Sequence, residues 1–217
     1  MFIGHFAVAL AAKRATPVVS LGWLFLACQL ADLVWPTLVL LGIEHVVIDP
    51  GNTAFTPLDF AYYPYSHSLI ALVLWAVLAA VLYLALNRGA VGAAIAVSLT
   101  VVSHWVLDVI SHRPDMPLTL AGPTRLGLGL WQSVPATVIV EAVMLAVGLR
   151  LYLGTTRSRD RIGRVGFWSL MATLVLIGIA NIFSPPPPSI GAVAWAAEGL
   201  WLFVAWAFWA DRHRAVR

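Results

Sequence analysis

The sequence predicts an all-α protein, a polytopic membrane bundle of about six transmembrane helices with a short N-terminal helix that is either re-entrant or interfacial. Of its 217 residues, 61% are hydrophobic and only 11% are charged, a balance that soluble domains of this length do not show. Apolar runs of about 20 residues, long enough to cross a bilayer, recur along nearly the whole chain. We therefore expect a single transmembrane domain over residues 1–217, in which 1–120 carry the site and 121–217 support it.

Six segments have the length and apolarity of membrane spans. Their approximate bounds are 18–42, 68–86, 91–111, 134–152, 165–183 and 190–210. The N-terminal segment 2–12 is apolar but too short to cross. It either dips into the bilayer or lies flat on its surface, and the sequence leaves both alternatives open.

Basic residues occupy every second connection between these segments. They lie at 13–14, at Arg88, within 150–164 and within 212–217, whereas the loop 43–66 contains no Lys or Arg. By the positive-inside rule the basic connections are cytoplasmic. This predicts a multi-pass protein of the inner (plasma) membrane with both termini in the cytoplasm. Because the basic residues serve as topology signals, we expect no nucleic-acid partner.

The third predicted span carries ionisable side chains near its outer end. His104, Asp108 and His112 are spaced by four residues, which stacks them along one face of a helix. Side chains one turn apart can bind the same metal ion. The alternative is a hydrogen-bonded polar stripe, but an ionisable group at membrane depth costs about 2.5 to 3.5 kcal/mol even on the insertion scale. The spacing therefore favours a metal site.

Further ligand-type side chains fall at a similar depth. Asp32 lies about 22 Å of helix beyond Pro17 at ~1.5 Å per residue, and Pro36 is expected to bend the helix one turn later. His67 opens the second span, and a re-entrant N-terminal helix would carry His5 roughly 12 Å into the bilayer. The predicted metal ligands are His5, Asp32, His67, His104, Asp108 and His112. The predicted catalytic residues among them are Asp32, His104 and Asp108.

Imidazole and carboxylate groups together suit Zn²⁺ best, with Mn²⁺ or Fe²⁺ as alternatives. The lone Cys28 lies inside an apolar run and is interpreted as a packing residue. A catalytic zinc ion lowers the pKa of a bound water to about 7, and a spare carboxylate could act as base. Glu141 and Glu198 either orient a ligand histidine or bond a neighbouring helix. Glu44 is expected in a solvated loop.

This arrangement of residues resembles the YdjM-like family, which is described as inner-membrane-associated, metal-dependent hydrolases. The resemblance covers residues 1–120 and implies that the matching positions are metal ligands or their immediate neighbours. Family members commonly carry Leu-Pro-Asp-Leu-Asp where this chain has Leu-Ala-Asp-Leu-Val at 30–34, and this departure from the family pattern, which removes the second carboxylate, favours one metal ion over two. The matching positions are His5, Asp32, His67, Ser68, Ser103, His104 and Asp108.

Together these features predict a membrane-embedded hydrolase that acts on a lipid or lipid-like ester or phosphoester near the outer leaflet. Its expected partners are membrane lipid and a divalent metal ion. An ion- or proton-coupled transporter could use the same His/Asp cluster, although the chain has no inverted repeat. A third alternative is a scaffold whose polar cluster only holds helices together.

Overall fold

The computed structural model describes residues 1–217 as ten α-helices, with short antiparallel strand pairs between them. The helices are α1 (Phe2–Ala15), α2 (Leu21–Cys28), α3 (Leu30–Leu40), α4 (Pro64–His67), α5 (Leu69–Leu86), α6 (Val91–Ser111), α7 (Val134–Thr155), α8 (Arg161–Phe183), α9 (Ile190–Glu198) and α10 (Leu200–Arg212). The strands are β1 (His45–Ile48), β2 (Leu58–Tyr62), β3 (Met116–Pro117), β4 (Arg125–Leu126), β5 (Thr156–Ser158) and β6 (Arg214–Val216).

The predicted membrane helix bundle is confirmed. Helices α5, α6, α7 and α8 and the run from α9 through α10 are each long and apolar enough to cross a membrane. Helices α2 and α3 form a sixth candidate span, bent by 52°. Many of their large apolar side chains remain exposed, as expected of surfaces that face lipid.

The bend in the first span lies earlier than predicted. The break falls at Gln29 (φ −108°, ψ 5°), whereas Pro36 lies within a continuous α3. Proline inside a helix is tolerated in membrane proteins, and α3 continues through Pro36 to Leu40. The break has a structural consequence, since the Cys28 carbonyl ends α2 and is free to accept a hydrogen bond from another helix.

Helix α1 lies inside the bundle rather than on its surface. It packs along α7 and also contacts α2 and α6, and no residue from Met1 to Lys13 is exposed. His5, Phe6 and Leu10 are almost completely buried. A helix lying flat at the membrane interface would leave a polar face in water, so the re-entrant alternative describes α1.

Most of the basic connections meet at one end of the bundle. Lys13 Nζ donates to Asp211 Oδ2 over 3.1 Å, which joins the end of α1 to the end of α10. At the same end β5 pairs with β6. The β1–β2 and β3–β4 pairs follow the other ends of the helices, where a small second core forms around Trp35, Val46, Tyr63 and Met116.

A glycine on α7 allows α1 to approach closely. A Cβ atom at Gly148 would lie 2.5 Å from the Ala7 carbonyl oxygen and 3.2 Å from its carbonyl carbon. We therefore expect Gly148→Ala to destabilise the protein by about 1 to 3 kcal/mol, the range for overpacking. Gly154→Ala on the same helix is the control, because nothing lies within 4 Å of its Cβ position. Thermal unfolding in detergent measures both, and equal melting temperatures would contradict this account of the α1–α7 contact.

Candidate metal centre

Ionisable side chains from four helices converge toward the end of the bundle opposite the β5–β6 pair. His5 comes from α1, Asp32 from α3, His67 from α4, and His104 and Asp108 from α6. All are nearly completely buried except Asp32, whose side chain is 31% exposed. Sequence reasoning predicted each of these five as a metal ligand, and the fold brings all five together.

Their nitrogen and oxygen atoms are spaced like the ligands of one small cation. His104 Nε2 lies 3.0 Å from Asp108 Oδ2 and 3.8 Å from Asp32 Oδ1. His67 Nε2 lies 3.3 Å from Asp32 Oδ1, and His5 Nε2 lies 3.1 Å from Asp108 Oδ1. Ligands about 2.0 to 2.1 Å from a tetrahedral zinc ion lie about 3.4 Å from one another. The four separations in the cluster, from 3.0 to 3.8 Å, lie on both sides of this ligand-to-ligand distance.

Two groups of three residues could each hold an ion, with one ligand atom from each residue and all atoms within 4.8 Å of one another. The first contains His5, His104 and Asp108, and the second contains Asp32, His67 and His104. His104 belongs to both. His104 Nδ1 is hydrogen-bonded to the Cys28 carbonyl oxygen, so only Nε2 is free to bind a metal ion. The two groups therefore share one ligand atom and describe one centre rather than two.

A hydrogen bond to the backbone fixes the tautomer of His104. Its Nδ1 lies 2.7 Å from the carbonyl oxygen of Cys28. Because a carbonyl only accepts, Nδ1 carries the proton and donates it. In the neutral ring Nε2 then presents a lone pair, which is the form that binds a metal ion. The break between α2 and α3 thus supplies the group that orients a ligand histidine.

His67 is fixed in the same way by a chain of hydrogen bonds from the segment between α3 and α4. Ser66 Oγ donates to Glu44 Oε2 over 2.6 Å, and His67 Nδ1 lies 2.7 Å from the same hydroxyl oxygen. Since the hydroxyl proton is directed at Glu44, Ser66 accepts from His67 Nδ1–H. The His67 Nε2 lone pair therefore faces Asp32.

The role of Glu44 was not predicted, and its expected place in a solvated loop is wrong. Glu44 is 1% exposed, and its Oε1 accepts from the backbone N–H groups of Tyr65 and Ser66 over 2.7 and 2.9 Å. These bonds satisfy the buried carboxylate. No local pattern indicates this role, because Glu44 and Ser66 meet only where the segment between α3 and α4 folds back.

The geometry leaves lone pairs facing lone pairs. The Nε2 atoms of His67 and His104 and the carboxylates of Asp32 and Asp108 are all acceptors, and acceptors do not bond one another without a proton or a cation between them. His104 Nε2 is buried and has no hydrogen-bond partner, although Asp108 lies beside it. A divalent cation would use these lone pairs and balance both carboxylates. The donor set therefore fits a metal ion.

The start of α1 is held against this cluster by two carboxylates. The Met1 amino group lies 2.8 Å from Asp108 Oδ1 and 3.3 Å from His5 Nε2. Glu141 Oε2 accepts from the Ile3 N–H over 3.1 Å. Of the two roles considered for Glu141, bonding a neighbouring helix describes its contact.

Glu198 likewise bonds a neighbouring helix. Its Oε1 accepts from the Thr37 hydroxyl over 2.6 Å, joining α9 to α3. No hydrogen bond links it to a histidine of the cluster. Glu198 is therefore a carboxylate outside the candidate metal centre.

His112 does not continue the stripe formed by His104 and Asp108. Helix α6 ends at Ser111, and His112 adopts an extended backbone (φ −70°, ψ 154°). Its Nδ1 lies 2.9 Å from Asp115 Oδ1, which also accepts from the Tyr63 hydroxyl over 2.9 Å. His112 is a member of neither three-residue group, so the structure does not bring this predicted ligand to the others.

Tyr63 remains a hydrogen-bond donor beside this pair. Burial of the phenol, together with the adjacent Asp115 carboxylate, raises its pKa well above the usual range. The hydroxyl therefore stays protonated at neutral pH and holds the Asp115 carboxylate in place.

A cavity of about 570 Å³ reaches the cluster, within the range of roughly 300 to 1,000 Å³ typical of small-molecule sites. Asp32, His67, Asp108 and His112 line its inner end. Aromatic residues and residues of α8 and α9 form most of the remaining wall. The candidate metal centre is therefore open to a molecule larger than water.

Comparison of the chain with protein-family models, with curated proteins and with solved structures finds no match. The resemblance to the YdjM-like family stays a prediction from the residues quoted above. What the fold itself establishes is a multi-pass helical architecture with a buried His/Asp cluster that could hold a metal ion.

Proposed function

We propose that this protein is a membrane-embedded, metal-dependent hydrolase that acts on a lipid or lipid-like substrate near the outer leaflet. The observation that carries the proposal is the set of imidazole lone pairs directed at the carboxylates of Asp32 and Asp108, at the inner end of a largely apolar cavity. Isolated ionisable groups at membrane depth are costly and mark function more often than packing.

The proposed ligands are Asp32, His67, His104 and Asp108, with His5 as a fifth. Zinc is the first choice because histidine and carboxylate ligands are typical of its catalytic sites, and Mn²⁺ or Fe²⁺ would suit the same donors. The bound ion would supply a Lewis acid and acidify a water molecule. His112 is not among the proposed ligands, because its Nδ1 pairs with Asp115.

The two carboxylates have different surroundings and therefore different proposed roles. Asp108 is enclosed by His5, His67 and His104, which suits a ligand fixed in position. Asp32 is partly exposed and lines the cavity, so with one oxygen bound to the ion its other oxygen could accept a proton from an attacking water.

The proposed membrane orientation follows the charges. With the basic end of the bundle in the cytoplasm, both termini are cytoplasmic and the metal centre lies in the outer half of the inner (plasma) membrane. The resemblance to the YdjM-like family supports both the location and the reaction class.

Metal removal tests the proposal. Stripping the purified protein with a chelator should abolish hydrolysis of a chromogenic acyl ester in micelles, and adding back Zn²⁺ should restore it. A His104→Ala variant should remain inactive after zinc is added. Activity that survives the chelator and the variant would exclude a metal-dependent hydrolase. Purified protein without any metal would favour a scaffold, and metal uptake into proteoliposomes without ester hydrolysis would favour a transporter.

A further inference from the structure

We infer that the bond this protein hydrolyses belongs to an uncharged acyl group, a carboxylic ester or amide on a long hydrocarbon chain, rather than to a phosphoester. The inference rests on the proposed function and concerns the substrate class of the same site. It is carried by the charges and shape of the cavity that reaches the metal centre.

No lysine or arginine lines this cavity. Its charged side chains are the carboxylates of Asp32 and Asp108, and the Met1 amino group beside them is paired with Asp108. Sites that bind phosphoryl groups surround them with Arg, Lys or metal ions aimed at the non-bridging oxygens. Here the cavity provides no such side chain.

The arginines nearest to this end of the bundle are already engaged. Arg113 is paired with both Asp59 and Asp115, and Arg125 donates to the backbone carbonyls of Gly122 and Thr124. Neither lines the cavity. Recruiting one of them to a phosphate would require breaking these interactions.

The net charge of the site also favours an uncharged substrate. One divalent ion and the Met1 amino group would together leave a single positive charge after offsetting the carboxylates of Asp32 and Asp108, and an uncharged ester does not change that balance. A phosphate dianion would make the site negative in a low-dielectric environment, where an unpaired charge is costly. The site therefore discriminates by charge against phosphate dianions, and it has no lysine or arginine to receive a phosphodiester.

The walls suit a hydrocarbon chain. Trp35, Phe55, Phe60 and Trp131 form one part of the lining, and apolar residues of α8 and α9 form another. Ala192 and Ala196 of α9 belong to this wall and are also exposed on the bundle surface. The cavity therefore reaches the lipid-facing surface through small side chains, which leaves a lateral path for an acyl chain.

The reaction is ordinary ester hydrolysis. The bond between the acyl carbon and the leaving oxygen breaks, and a new bond forms from the acyl carbon to the oxygen of water. One water proton passes to the leaving oxygen, so the products are a carboxylic acid and an alcohol. An amide would release an amine in the same way.

Substrates that share one leaving group separate the two classes. Zinc-loaded protein in micelles would be assayed with p-nitrophenyl palmitate, p-nitrophenyl phosphate and hexadecyl p-nitrophenyl phosphate, which matches the palmitate ester in chain length, with His104→Ala as background. We expect the palmitate ester to exceed both phosphates by roughly 100-fold or more in kcat/KM, because no lysine or arginine of the cavity receives a phosphate. Faster turnover of either phosphate would overturn this inference and leave the metal-dependent hydrolase intact. No turnover of any substrate by metal-loaded protein would remove the proposed function and the inference with it.

A cavity variant tests where the chain binds. Ala196→Trp should fill the α9 wall and lower kcat/KM for p-nitrophenyl palmitate about tenfold or more, while p-nitrophenyl acetate is affected little. Ala172→Trp is the control, because Ala172 is also exposed in the bundle but does not line the cavity. Equal effects of Ala196→Trp on the long and short esters would overturn the placement of the acyl chain.

Discussion

Under the proposed function, Asp108→Asn is expected to abolish metal binding and hydrolytic activity together. Asp108 is 2% exposed, and its two oxygens lie within 3.9 Å of His5, His67 and His104. Asparagine has nearly the same shape but offers only one acceptor oxygen and carries no charge. We expect metal content to fall from about one ion per chain to less than about a tenth of that. Elemental analysis of the purified variant measures this directly.

The matched control for Asp108→Asn is Glu198→Gln. Glu198 is also a carboxylate on a candidate span, but it bonds Thr37 rather than the histidine cluster. Its metal content and activity should equal those of the unmodified protein. Because a buried change can disturb folding, size-exclusion profiles and melting temperatures would accompany each measurement. Full metal occupancy in a folded Asp108→Asn protein would show that the cluster is not the metal site.

Glu44→Gln is expected to weaken metal affinity about 10- to 100-fold, the range for groups that orient ligand histidines. An amide N–H at the Oε2 position would donate to Ser66 Oγ, so the serine hydroxyl would turn its proton toward His67 Nδ1. The His67 proton would then move to Nε2, and the lone pair that faces Asp32 would be lost. Metal titration measures the affinity, and ¹⁵N spectra of the imidazole report the tautomer.

Asp49→Asn provides the comparison for Glu44→Gln. Asp49 lies in the same outer loop, but its side chain is exposed, so neither metal affinity nor the His67 spectrum should change. Ser66→Ala removes the hydroxyl that connects Glu44 to His67 and should weaken binding as Glu44→Gln does. An unchanged His67 tautomer in Glu44→Gln would contradict the proposed orienting role, even if stability fell.

Much of the site could be predicted because its signals are local. His104 and Asp108 lie one helical turn apart, so any helix through this segment places them on one face. The depths of Asp32 and His67 follow from residue counts along apolar segments of known rise. These residues meet His5 when the helices pack with their ionisable groups inward. That packing is favoured because an ionisable group that faces lipid is costly.

Other features depend on contacts between distant segments. His112 continues the four-residue spacing, yet α6 ends one residue earlier and Asp115 and Tyr63 bind its ring. Glu44 looks like a loop residue until the outer loop folds back to place Ser66 against it. The break at Gln29 matters because it presents the Cys28 carbonyl to His104, 76 residues along the chain.

The sequence by itself determined that the chain forms a membrane bundle, where its spans lie, and which ionisable side chains reach the same depth. Hydropathy and helical periodicity are properties of short segments, so they are readable without the fold. Only the tertiary structure decided that α1 enters the bundle, that each orienting hydrogen bond exposes an Nε2 lone pair, and that the cavity lacks a cationic side chain. The position of α1, the orienting hydrogen bonds and the charge of the cavity each depend on contacts between segments that are distant in the sequence. Only the packing of the helices in three dimensions determines those contacts.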